Sequence, residues 1–170
     1  MPVIFDTSFL AAMLDPKVQG GGDADIDERL RFLLSGLDKE REVVIVPTPA
    51  LSEALIGAGD AAPQYLEILN KSARFRVAPF GERAAVEAAA AHREAIRAGD
   101  KKEGSASWAK VKFDRQIIAI ARVEGVTRIY SNDSDIRRYL AGSGEIEVIK
   151  MEDLPSPPEP PRDLLSPEKK

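Results

Sequence analysis

The chain has 170 residues, 44% of them hydrophobic, and a formal net charge of −4. That fits one domain with a buried core and supplies no whole-protein basic field for non-specific nucleic-acid binding. Cysteine is absent and His92 is the one histidine, which excludes disulfides, thiol nucleophiles, zinc–thiolate sites, iron–sulfur clusters and multi-histidine metal sites.

Residues 2–6 read as a short strand, apolar on both faces and ending on Asp6. "SFLAAML" reads as a helix that stops near Pro16, and residues 17–27, with three successive glycines, as a flexible loop. Leu30, Leu33, Leu34 and Leu37 fall at i, i+3, i+4 and i+7, the spacing of an amphipathic helix. Residues 43–46, "VVIV", predict a second buried strand. Thr48 and Pro49 then predict the N-cap and first position of a helix. A helix over "APQYLEILNKSA", a strand over "FRVAPF" and a long Ala-rich helix over residues 82–98 follow. "GDKKEGSAS" reads as a polar loop, residues 108–124 as a helix stopped by Gly125, and "TRIYS" as a fourth strand. "DIRRYLAG" gives a short helix and "IEVIKM" a fifth strand.

Strands and helices alternate throughout, which predicts an α/β fold with a mainly parallel sheet and right-handed crossovers. Six of the twelve prolines lie between residues 155 and 167. The expected organisation is therefore a domain over residues 1–154 and a Pro-rich, extended or disordered tail over residues 155–170. No apolar run approaches the length of a membrane span and the N-terminus has no secretory pattern, so a soluble, cytoplasmic protein is expected, with no membrane partner.

Four acids stand out by position. Asp6 and Asp133 directly follow predicted strands, and Glu53 lies one turn into the helix after another. Asp114 precedes Ile117, Ile118 and Ala121 by three, four and seven residues, so it shares the inward stripe of its helix. In an open α/β sheet, sites form outside the carboxyl ends of the strands, where these acids can converge. Close carboxylates cannot all stay ionised without cations, and an oxygen-only donor set favours Mg2+ or Mn2+ over zinc. Each acid also has an ordinary reading: Asp133 as a helix cap, Asp114 as a helix-terminus residue, Glu53 as a solvated helix residue and Asp6 as a turn residue.

"VIFDTS", Glu53, "KFDRQIIAIA" and "IYSNDSDI", taken in order over about residues 1–150, resemble the PIN domain family. The resemblance implies a five-stranded sheet between helices and a metal-dependent ribonuclease that leaves a 5′-phosphate and a 3′-hydroxyl. By position, Asp6, Glu53, Asp114 and Asp133 correspond to the family's acidic quartet, the catalytic residues and metal ligands. Asp135 is a candidate fifth acid, and Ser131 falls where the family often carries a hydroxyl. Small members of the family resemble the toxin half of VapBC-type toxin–antitoxin pairs, which implies an RNA substrate, an antitoxin partner and, by analogy, a homodimer.

Thr7 and Ser8 are positioned to donate hydrogen bonds to a ligand or to cap the helix they start. Lys110, Lys112 and Arg115 flank Asp114, and Arg137 and Arg138 follow Asp133. They are candidate contacts to RNA phosphates, against the plainer reading of a solvated polar face. His92 is expected to be exposed and without chemistry, and Trp108 to pack a helix start. The competing function is a non-catalytic PIN-like module that binds RNA or protein. A haloacid-dehalogenase-like enzyme is disfavoured, because Ser8 stands where that family carries a second aspartate.

Overall fold

A computed structural model of the chain describes residues 1–14, 24–99, 108–142 and 144–158. β1 (Val3–Phe5) is followed by α1 (Thr7–Leu14), α2 (Ala24–Lys39), β2 (Val44–Pro47), α3 (Thr48–Ala58) and α4 (Ala62–Lys71). β3 (Phe75–Ala78), α5 (Glu82–Arg97), α6 (Trp108–Val123), β4 (Arg128–Tyr130), α7 (Ser134–Leu140) and β5 (Glu147–Ile149) complete the order. The expected alternation of strands and helices is present throughout.

The sheet has five strands in the order β3-β2-β1-β4-β5, all parallel. β1 is central: Ile4 pairs with Ile45 of β2 on one side and with Ile129 of β4 on the other. Val3, Ile4, Phe5, Val44, Ile45 and Val46 are fully buried, which is why β1 and β2 read as unbroken apolar runs. Phe5, Phe9 and Tyr130 form a cluster with ring centroids 5.4–5.5 Å apart, locking α1 onto the sheet beside the end of β4.

The strand order determines where a site can lie. From β1 the chain moves outward through β2 to β3 on one side, then crosses to β4 and β5 on the other. The reversal falls between β1 and β4, and the crevice beyond their carboxyl ends is the usual ligand position of such sheets. Asp6 leaves β1 and Ser131 leaves β4 at that place.

Several local expectations change. α2 begins at Ala24, so residues 24–27 of the expected loop are helical; Asp25 and Asp27 there complement the positive end of the helix dipole. The rest of that loop, and the polar loop from residue 100 to 107, lie outside the described residues. Thr48 does not cap α3: Pro47 holds the N-cap position without a side-chain bond, and the Thr48 hydroxyl accepts from Phe80 N at 3.0 Å instead. His92 is half-buried and contacts Arg115. Gly125 ends α6 as expected, with φ +65° and with Val126 N donating to Ala121 O, a Schellman closure that favours glycine.

Residues 155–158 carry no helix or strand, and the tail from 159 onward lies outside the described residues. Among the described residues the last buried side chain is Leu154, whose carbonyl accepts from Arg29 Nη1 of α2 at 2.7 Å. The Pro-rich composition of the tail predicts that a chain ending after residue 158 melts like the full chain. One ending after residue 150 loses buried Met151 and Leu154, an expected cost of about 3–6 kcal/mol. Thermal melts of the two truncations check this.

Candidate active site

Asp6 is 4% exposed, and its burial is compensated locally. Oδ1 accepts from Ser8 N at 2.9 Å, Phe9 N at 3.2 Å and Ser8 Oγ at 2.6 Å, so the carboxylate caps α1. Oδ2 accepts from the buried Ser131 hydroxyl. Burial pushes the Asp6 carboxyl pKa up, against the pull of these hydrogen bonds.

Two serines tie the loops after β1 and β4 together. Ser131 Oγ, while donating to Asp6, accepts from Asp133 N at 2.9 Å. Ser8 Oγ, while donating to Asp6, accepts from Asn132 N at 3.0 Å. Asn132 Oδ1 accepts in turn from Met151 N at 2.9 Å, fixing the loop to the chain beyond β5. Asn132 was not among the sequence candidates; a polar side chain between a strand end and a cap was the available signal.

Asp133 caps α7 through Oδ1, which accepts from Asp135 N at 2.7 Å, and its Oδ2 is 2.7 Å from Lys110 Nζ. The capping reading and the site reading of Asp133 thus use different oxygens. Asp135 Oδ2 accepts from Lys110 Nζ at 2.6 Å, and its Oδ1 pairs with Arg138 at 3.0 Å. The Lys110 hydrogen bond holds the Asp135 carboxyl below the usual carboxylate range, with slight burial working the other way.

Asp114 lies on the inward face of α6 and is 5% exposed. Burial, then the charges of Asp133 and Asp135, push its carboxyl pKa up to about 6, while Lys110 at 3.3 Å pulls it down. Asp114, Asp133 and Asp135 each place a carboxylate oxygen within 4.8 Å of the others, a spacing that can hold one cation. Glu53 on α3 is exposed and accepts from Thr7 Oγ1 at 2.6 Å. Asp6, Thr7, Ser8, Glu53, Asp114, Asn132 and Asp133 all line one open cleft.

Two tiers result. The tight cluster consists of Asp114, Asp133 and Asp135, whereas Asp6 and Glu53 share the cleft without belonging to that cluster. Of the basic candidates, Lys110 is directed into the acids. Arg115 is not: it is hydrogen-bonded to His92 of α5 and lies 5.8 Å from the Tyr139 ring centroid. Lys112 is exposed, and Arg137 is more than half exposed, 4.0 Å from Asp153. One residue is about 100° around a helix and two about 200°, so Arg115 and Lys112 are sequence neighbours of Asp114 that face elsewhere.

The family model of the PIN domain matches residues 3–140. This chain belongs to the PIN domain family. Solved structures with this fold include VapBC2 from Rickettsia felis bound to a DNA fragment from its promoter (14% identity, TM-score 0.61). That match covers 88% of this chain and 98% of the matched one. DNA-bound VapBC from Salmonella typhimurium matches at 16% identity and TM-score 0.59, over 89% of this chain and 98% of the other. VapC20 of Mycobacterium tuberculosis, a toxin that cleaves the sarcin–ricin loop, matches at 24% identity and TM-score 0.55, over 85% and 98%. No curated relative matches the chain in sequence. Within this PIN fold, no helix among the described residues is long and apolar enough to cross a membrane.

Proposed function

We propose that this PIN-domain protein is a Mg2+- or Mn2+-dependent endoribonuclease and the toxin half of a VapBC-type pair, with RNA as substrate and an antitoxin protein as partner. The observation that carries the reading is the grouping of Asp114, Asp133 and Asp135, two of which, Asp114 and Asp133, line one cleft with Asp6 and Glu53. The donor set suits a hard divalent cation: every candidate ligand is a carboxylate oxygen, and there is no thiol in the chain and no imidazole in the cleft.

Asp114, Asp133 and Asp135 would hold the ion, with Asp6 and Glu53 completing the acidic wall. Such an ion supplies a water of lowered pKa and charge to offset the phosphate in the transition state. The other roles belong to the chain itself. Ser131 and Ser8 hold Asp6 and the Asn132–Asp133 turn in register, so the two post-strand loops present a fixed surface. Thr7 orients Glu53 through the 2.6 Å hydrogen bond. Lys112 and Arg137 are exposed cations that RNA phosphates outside the cleft could meet, while Arg115 would first have to leave His92.

The test is cleavage of an RNA panel with Mn2+, comparing wild type with Asp133→Asn. Asparagine caps helices as well as aspartate does, so the variant keeps α7 while losing a charged ligand. Cleavage should fall at least about a hundredfold. No cleavage by wild type on any RNA, with Mn2+ bound or absent, favours the non-catalytic binding module instead. Co-purification with the small protein encoded by a neighbouring gene, and inhibition by it, tests the antitoxin assignment.

A further inference from the structure

Lys110 stands out because it points into the acids where its basic neighbours on α6, Lys112 and Arg115, do not. Its Nζ lies 2.6 Å from Asp135 Oδ2, 2.7 Å from Asp133 Oδ2 and 3.3 Å from Asp114 Oδ2. The ammonium is thus within ion-pair distance of all three carboxylates of the tight cluster. We propose that Lys110 is the site's own counter-ion: its ammonium occupies the position of the divalent cation, and the ion must displace it to bind.

The proposal rests on the metal-nuclease reading and adds a built-in competitor to it. The overlap is steric as well as electrostatic. Mg2+ sits about 2.0–2.1 Å from its ligand oxygens, so an ion held by these carboxylates would take the volume that Nζ fills. Two cations cannot share that space. The lysine has a way out to solvent, because its side chain is 41% exposed and its four-carbon stem is flexible. Its place one helical turn before Asp114 means that departure needs only side-chain rotation, with α6 left in place.

Occupancy by Lys110 has two consequences. It holds the metal-free fold together against repulsion among three acids, and it weakens divalent binding. Charge compensation by one ammonium leaves three carboxylates under-neutralised, so a divalent ion still wins at sufficient concentration. The apparent dissociation constant of the site for its ion is thereby raised by one residue that is not itself a ligand.

The experiment is calorimetric titration of Mn2+ into metal-free wild type, Lys110→Met and Asp133→Asn, with thermal melts of each before and after saturation. Lys110→Met should bind Mn2+ about tenfold or more tightly than wild type, melt lower without metal, and gain more on saturation. Asp133→Asn should bind more weakly than wild type. Equal or weaker binding by Lys110→Met, with wild-type binding intact, overturns the counter-ion role and leaves the metal reading standing. Failure of all three proteins to bind Mn2+ overturns the metal reading, and this inference with it. Should Lys110→Met not fold, NMR of the lysine ammonium groups in wild type gives the same answer. The Lys110 signal should shift on adding Mg2+ with the midpoint of the thermal stabilisation; an unmoved signal at saturation overturns the proposal.

Discussion

Asp114→Asn should raise the melting temperature of the metal-free protein at pH 7 and abolish RNA cleavage. In the folded state the Asp114 carboxyl has its pKa raised to about 6 by burial and by Asp133, against an unfolded value near 3.9. A carboxyl raised by folding contributes stability below its unfolded pKa and loses it as pH climbs through the folded value. The metal-free wild type should therefore become less stable between about pH 4 and pH 6. A shift of this size corresponds to at most about 3 kcal/mol, or roughly 6–12 °C for a chain of this length.

The asparagine variant removes that slope in large part. Asp6, also raised by burial, acts in the same sense and remains in the variant, while lowered Asp135 acts in the opposite one. Adding Mn2+ should reverse the ranking. Wild type gains about 2.7 kcal/mol at a hundredfold excess over the dissociation constant, and the variant gains less because one ligand is gone. Melts from pH 4 to 8, with and without Mn2+, check both halves. An equal response of the two proteins to Mn2+ would show that Asp114 is not a ligand.

The centre of the sheet was readable because β1 and β2 are buried on both faces. "VIF" and "VVIV" are short apolar runs bounded by polar or turn residues, and each ends where the chain enters a helix. Helix periodicity placed Asp114 inward, and the order of acids after strands located the cleft. What the sequence could not show was which polar neighbours share a face after three-dimensional packing. Lys110, Lys112 and Arg115 look equivalent beside Asp114. Only Lys110, at i−4, projects onto the same stripe and meets Asp133 and Asp135, which come from an element some 20 residues later. The same limit applies to Thr48, whose hydroxyl was taken by Phe80 N, a partner 32 residues away, rather than by its own helix. Asp135 entered as a marginal fifth acid and lies in the tight cluster. Its closeness to Asp133 follows from the cap geometry, in which Asp133 Oδ1 receives Asp135 N.

Asp6 should behave oppositely to Asp114, although both are buried carboxylates. Among the described residues Asp114 accepts from Lys110 alone, whereas Asp6 accepts from Ser8 N, Ser8 Oγ, Phe9 N and Ser131 Oγ. Asp6→Ala removes a helix cap, worth about 1 kcal/mol, and leaves the buried Ser131 hydroxyl without its acceptor, a further cost of about 1–3 kcal/mol. Removing a buried charge gives part of this back, so the expected net loss is about 2 kcal/mol, or roughly 4–8 °C. Asp6→Asn keeps an oxygen for the cap and fills the same volume, but with its amide turned to Ser131 the serine proton still loses its acceptor, so it should cost about 1 kcal/mol, less than Asp6→Ala. Cleavage should be lost in both. Melting and cleavage of the two variants together separate the roles of this one side chain. An unchanged melting temperature for Asp6→Ala would refute the capping role, and full cleavage by Asp6→Asn would confine Asp6 to structure. The combination of a stable Asn variant and an inactive site would mean that the carboxylate's charge serves the chemistry while its oxygens hold α1 and the β4 loop in place.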